Sequence, residues 1–238
     1  MKLLYQTHSP YARKVLVAAH EMGLHHSLEV VHHETSPTRR NEEVFALNPL
    51  GKVPVLICDD GAVLFDSNVI CEYLDGLHRG PPLIPSQPQS RFLALRMQAL
   101  AQGIADAGIT ARWESERRPA ELRWPVMRDG QIQKIAAACD FLEQELATRQ
   151  TEAIAPTGRA ATSPDHVAAA GSNGDESISA ANRRPDIGEI ALATALSWIE
   201  FRRVYDFLTG RPRLAQWYAA LCARPSMQAT TLEGQTHD

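Results

Sequence analysis

The chain has 238 residues, 44% hydrophobic and 22% charged, with a formal net charge of -4, which suits two globular domains and not a low-complexity chain. The net charge opposes phosphate binding. The arginine pairs Arg39-Arg40, Arg117-Arg118, Arg183-Arg184 and Arg202-Arg203 are scattered instead of forming one basic run, so nucleic-acid binding is not expected.

A lone Lys2 followed by polar residues from Gln6 onward makes a poor signal peptide, and no apolar run is long enough to span a bilayer. Cys58, Cys71, Cys139 and Cys222 form neither a Cys-x-x-Cys pair nor a metal-ligand spacing. The expectation is a cytoplasmic protein with reduced core thiols, no metal site and no membrane partner.

Leu3 to Tyr5 reads as a short strand that stops at Gln6, and Ser9-Pro10 then supplies a capping hydroxyl and a first-turn proline for a helix. Ala12, Val15, Ala19 and Met22 recur at helical spacing, and Gly23 closes that helix. Ser27 to Val31 reads as a second strand, completing a βαβ unit. Val53 to Ile57, the turn Asp59-Asp60-Gly61 and Val63 to Phe65 read as a hairpin, after which Ser67 opens a helix to about Leu77. The order βαβ then ββα predicts an α/β thioredoxin-like N-terminal domain over 1–79. Four prolines between Gly80 and Pro88 predict a linker over 80–89.

Farther along, Leu93, Met97, Leu100, Ile104 and Ala111 share one helical face, as do Ile132, Ile135, Cys139, Leu142 and Leu146. Asp186 and Glu189 resemble a capping box ahead of a helix from Ile190 to about Phe201. A last helix spans Leu214 to Cys222 and stops at Arg224-Pro225. An all-α C-terminal helical bundle over 90–238 is therefore expected. It carries an insertion at about 151–184, rich in Ala, Gly, Ser and Asn, read as a surface loop with a helical piece near His166 to Ala170.

Three places could carry chemistry. Ser9 stands at a helix N-terminus, where free N–H groups and the positive dipole end favour an anion such as a thiolate, although the same residue can simply cap the helix. A proline at Val53-Pro54 can be cis, turning the Val53 backbone groups toward an extended peptide, or trans at an ordinary strand edge. Asp66-Ser67 offers a carboxylate for an ammonium group and a hydroxyl with free N–H groups for a carboxylate, the two needs of an α-amino acid head group; the alternative is capping alone.

The strings Ser9-Pro10-Tyr11-Ala12-Arg13-Lys14-Val15, Asn48-Pro49-Leu50-Gly51-Lys52-Val53-Pro54-Val55-Leu56 and Phe65-Asp66-Ser67-Asn68-Val69-Ile70 resemble the cytosolic glutathione S-transferase family, of the bacterial type with serine at the active-site position. So do Glu189 to Ala193 and Trp217 to Ser226.

The resemblance implies that Ser9 hydrogen-bonds the sulfur of glutathione and favours its thiolate. It implies that Val53 pairs with the cysteinyl backbone beside a cis Pro54, and that Asp66 and Ser67 hold the γ-glutamyl head. Lys52 and His33 are candidates for the carboxylates of glutathione. Tyr11, Ile109, Thr110 and Trp113 are candidates for a pocket holding a small apolar electrophile. Tyr5 and Tyr11 compete with Ser9 as the thiol-activating group, because the family variously uses Tyr, Ser or Cys.

Glutathione is then a co-substrate, no other cofactor is implied, and a homodimer meeting across both domains is expected. The expected activity is glutathione transfer in detoxification, with a peroxide oxygen as an accessory target. The alternative is a non-catalytic member that binds glutathione conjugates or a partner protein.

Overall fold

The computed structural model describes residues 1–154 and 183–234. β1 (Lys2–Tyr5) pairs parallel with β2 (Glu29–His32) and antiparallel with β3 (Val55–Ile57), which pairs antiparallel with β4 (Val63–Leu64), giving the sheet order β2-β1-β3-β4. Between β1 and β2 runs α1 (Pro10–Met22), begun by Ser9, whose Oγ accepts the Ala12 N–H, and ended by Gly23 in the left-handed region at φ 72. Leu24 N–H closes that end on Ala19 O at 2.8 Å.

The second strand starts two residues later than expected, because His25–Ser27 winds as a 3-10 turn. α2 (Glu42–Leu47) was not foreseen: six residues are too few to show a helical period, and only Asn41, which accepts from the N–H groups of Glu43 and Val44, marks its start. Its Val44 packs with Leu4, Val53 and Val55 on one face of the sheet. Leu3 and Leu56 face the other way, against Val15 and Ala19 of α1 and against Ile70 and Leu74 of α3 (Ser67–Asp75). α2 thus covers the face that would otherwise meet water.

The described part of the C-terminal half is helical: α4 (Pro88–Arg112), α5 (Pro125–Ile154), α6 (Ile187–Phe201), α7 (Pro212–Cys222) and α8 (Pro225–Gln228). α4 begins inside the stretch expected to be linker, with the Gln87 side chain accepting Ser90 N–H. It runs into a π turn at Trp113–Arg117 that no periodicity announced. α5 extends to Ile154, so the first residues of the expected insertion are helix. Most of that insertion, with the helical piece expected near His166 to Ala170, lies outside the described residues.

Both halves of the Asp186/Glu189 capping box form ahead of α6. Pro225 ends α7 as expected and also opens α8. None of the described helices is long and apolar enough to cross a membrane.

Side chains of α1 tie the two halves together. Arg13, 7% exposed, donates to Ser197 Oγ at 2.6 Å and to Met227 O at 3.0 Å. Glu21 takes two bonds of 2.9 Å from Arg224. Where the chain crosses between the halves, the Asp75 carboxylate accepts the N–H groups of Leu83 and Ile84 at 2.7 and 2.9 Å. His78 Nδ1 accepts the Gly80 N–H, so its proton sits on Nε2 and is donated to Asp75 at 3.0 Å.

Candidate active site

The strand register decides which chain segments meet. Because β2 runs parallel to β1, Tyr5 pairs with His32, and the segments leaving both strands lie at one end of the sheet. β3 runs the other way, with Leu4 opposite Val55, so Val53-Pro54 enters at that same end. β4 reverses again, with Leu56 opposite Leu64, so Phe65-Asp66-Ser67 leaves there too. Ser9, His33, Lys52, Val53, Pro54, Asp66 and Ser67 are therefore brought to one edge by topology alone. The Val53–Pro54 and Phe65–Asp66 peptide bonds are both cis.

Ser9 is 7% exposed, and its Oγ accepts the Ala12 N–H at 3.2 Å. A hydroxyl that accepts in this way keeps its own proton to donate. The loop carrying it is braced from three sides. Trp198 Nε1 of α6 donates to His8 O at 2.9 Å, Gln6 Nε2 reaches Glu34 Oε2 and Thr35 O at 2.9 and 2.8 Å, and Glu233 N–H bonds Thr7 O at 3.2 Å. A donor held by so many contacts is already oriented before any ligand arrives.

Of the two competing tyrosines, Tyr11 has its hydroxyl engaged elsewhere. The Tyr11 hydroxyl donates to Asp106 Oδ1 of α4, and burial, then that hydrogen bond and the Asp106 and Asp66 charges, push its pKa well above the ordinary phenol value. Tyr11 therefore keeps its proton and directs it toward a carboxylate. The Tyr5 ring packs edge-on against His32, with centroids 5.8 Å apart.

At the start of α3, Asp66 Oδ1 accepts the Asn68 N–H at 2.9 Å. Ser67 is 1% exposed, and its Oγ has no hydrogen-bond partner among the described residues. A buried hydroxyl without a partner costs free energy that an arriving acceptor would recover. Val53 is buried at 6% exposure. The turn before it is held by Asn48, which donates to Lys52 O at 2.9 Å and accepts from Leu50 N–H at 3.0 Å. Gly51 at φ 61 leaves no room for a side chain there, since a Cβ would lie 2.1 Å from the Phe45 ring.

Lys52 is exposed at this edge. The His33 ring turns toward Glu43 of α2, at 3.7 Å. Tyr11 of α1 and Ile109 of α4 both pack against the apolar cluster of the helical half. The Thr110 hydroxyl is committed to its own helix through Asp106 O at 2.8 Å, and Trp113 is half-buried where α4 passes into the π turn.

The sequence reading did not single out Asp106, Trp198 or Lys14. Asp106 is 95 residues from Tyr11 and the Trp198 indole is 190 residues from His8, separations at which no local pattern signals a contact. Among the described residues, no group of three or more His, Cys, Asp or Glu side chains is placed to hold a metal ion. An open depression of about 540 Å³ lies at the other end of β1, between Met1, Lys2, Glu29 and Asp59. Its ammonium and carboxylate, Met1 N and Asp59 Oδ1, already pair at 2.7 Å.

Residues 8–77 match the family model for the glutathione S-transferase N-terminal domain and residues 106–220 that for the glutathione S-transferase C-terminal domain. A glutathione transferase family member from Pseudomonas fluorescens Pf-5, solved with bound glutathione, is 34% identical with a TM-score of 0.80, over 98% of this chain and 99% of that one. A glutathione S-transferase from Methylobacillus flagellatus KT with glutathione bound is 32% identical with a TM-score of 0.73, over 98% and 99%. The uncharacterized GST-like protein YibF of Escherichia coli K12 is 29% identical over 97% of this chain and 98% of its own length. With family models on both halves and full-length relatives of this similarity, the chain belongs to the glutathione S-transferase family.

Proposed function

We propose that this protein is a glutathione transferase in which Ser9 stabilises the thiolate of bound glutathione. The observation that carries this reading is the state of the Ser9 hydroxyl. Its oxygen accepts the Ala12 N–H at the first turn of α1, while its proton remains for a sulfur. The γ-glutamyl head lies at Asp66 and Ser67, its ammonium on the carboxylate and its carboxylate on the free hydroxyl and the N–H groups that open α3. The cysteinyl backbone pairs with Val53 beside Pro54. Lys52 serves a carboxylate of glutathione, and His33 serves the other only by turning away from Glu43.

A free thiol of pKa about 8.5 is only a few per cent ionised at neutral pH, and lowering it by two units takes about 2.7 kcal/mol of preference for the thiolate. A hydrogen bond to a charged acceptor is worth about 1.5–3 kcal/mol, and a helix N-terminus adds about 0.3–1 kcal/mol. The thiolate then attacks an electrophilic carbon beside Tyr11, Ile109, Thr110 and Trp113. The carbon–sulfur bond forms as the leaving group departs with its electron pair, or as the pair moves into a conjugated acceptor. A peroxide oxygen is the accessory target, and the cytoplasm is the proposed location.

A second copy of the chain is the proposed partner. Val69 of α3 is 46% exposed, and Phe92 and Leu93 of α4 are 69% and 41% exposed, so apolar side chains from both halves stay open to another surface.

The test is the ultraviolet thiolate absorbance of bound glutathione across pH, for native protein and Ser9→Ala, with affinity measured alongside. Thiolate at neutral pH that disappears with Ser9 is the expected result. Binding without thiolate favours a carrier of glutathione conjugates, and no binding leaves only a scaffold.

A further inference from the structure

We infer that Lys14 is a positioning cation for the α-carboxylate of a γ-glutamyl head group, set beneath the N-terminus of α3; this rests on the glutathione reading above. Lys14 lies in the second turn of α1 and is 4% exposed. Its Nζ donates to Asn68 Oδ1 at 2.6 Å, in the first turn of α3. An ammonium can only donate, so the Asn68 carboxamide must present its oxygen to Lys14. Its nitrogen then faces Asp66 Oδ2, at 3.4 Å. Lys14 thereby orients Asn68, and Asn68 holds the carboxylate that is to meet the ligand's ammonium.

The charges around this lysine do not balance locally. Asn68 is neutral. Cys71, one turn farther along α3, is fully buried, and its thiol is pushed up to about 11 by burial against the opposing pull of Lys14, so it carries no charge at neutral pH. Asp66 is the nearby anion, and the proposed ligand ammonium occupies it. Burial pulls the Lys14 pKa down, and the Asp66 charge works the other way. A buried cation without a full counter-charge is costly unless something of opposite sign arrives.

The α-carboxylate of an α-amino acid head group is that counter-charge. It reaches the N-terminus of α3 beside Ser67 Oγ, which has no hydrogen-bond partner among the described residues. With the ligand bound, Asp66 faces its ammonium and Lys14 balances its carboxylate, so the zwitterionic head is matched sign for sign. Lys14 then acts as a specificity determinant for the head group while standing away from the sulfur and the electrophile.

The experiment is calorimetric titration of native protein, Lys14→Gln and Lys14→Arg with two probes. One is glutathione, and the other is 4-aminobutanoyl-cysteinylglycine, which keeps the head-group ammonium and lacks its carboxylate. Lys14→Gln keeps a donor for Asn68 and removes the charge. It is expected to weaken glutathione about tenfold and the analogue by less than about twofold, while Lys14→Arg stays near native for both.

Equal weakening of both probes by Lys14→Gln would make Lys14 a structural residue and overturn the inference. If Lys14→Gln does not fold, Lys14→Met carries the same comparison. Native protein that binds the two probes equally well overturns the inference with no variant needed. Native protein that binds neither overturns the glutathione reading, and the inference with it.

Discussion

Ser9 has two duties that substitution can separate. Its oxygen caps α1 through the Ala12 N–H at 3.2 Å, and in the proposed mechanism its proton serves the glutathione sulfur. Replacing an N-cap serine by alanine costs about 1 kcal/mol of stability, whereas glycine costs only a few tenths. Removing a hydrogen bond to a charged acceptor costs about 1.5–3 kcal/mol, equivalent to about one to two pKa units on the thiol. Ser9→Gly should therefore raise the thiol pKa of bound glutathione by the same one to two units as Ser9→Ala, while leaving the fold closer to native stability. Ser9→Thr, which keeps both the cap and a donor, should leave each property near native.

The assay pairs thiolate absorbance against pH with urea denaturation of the unliganded protein. The reasoning is refuted if Ser9→Gly retains the native thiol titration, for Ser9 would then be a cap and nothing more. Tyr5 would be the next group to test, because Tyr11 already gives its proton to Asp106.

Three further outcomes follow from the packing and charge of the fold. Gly188→Ala in α6 would place a Cβ 2.5 Å from Ala94 O and 2.7 Å from Met97 Cβ. Because a backbone carbonyl of α4 cannot swing aside, the overpacking, toward the upper end of about 1–3 kcal/mol, should outweigh the roughly 1 kcal/mol gain in helix propensity, giving a net loss of about 1–2 kcal/mol by chemical denaturation, and unchanged stability would contradict this close approach.

Burial pushes the Glu21 carboxyl up, but hydrogen bonds from Arg224 and Ser226 and the charges of Arg224 and Arg184 bring it net below the ordinary carboxylate value. A depressed folded-state pKa contributes stability above the unfolded value, about 4.3, that is lost as pH falls through the folded one. Thermal stability should therefore drop on acidification below about pH 4.3, and Glu21→Gln should flatten that part of the curve. Phe92→Glu on α4 should shift the protein from dimer to monomer in analytical ultracentrifugation; a native protein that sediments as a monomer would refute the proposed pairing.

Local signals explain what was legible beforehand. The cap at Ser9-Pro10, the stop at Gly23 and the Asp186/Glu189 box are each written within four residues or at a single position, and each forms as read. The hairpin and the long helical faces were visible for the same reason, since their periods repeat along the chain. α2 escaped because one short turn of apolar residues has no period, and the π turn after α4 escaped because nothing in Trp113 to Arg117 departs from an ordinary helical pattern.

By itself the sequence determined most of the elements and their ends, and it named the residues proposed to hold glutathione. Tertiary structure alone decided how those residues are placed. It set which end of the sheet gathers them, gave the Tyr11 proton to Asp106, left the Ser67 hydroxyl buried without a partner among the described residues and placed Lys14 under Asn68 across 54 residues. Capping and periodicity depend on atoms a turn or two apart. Charge balance and hydrogen-bond direction depend on whichever distant segments the strand register and helix packing bring within about 3 Å.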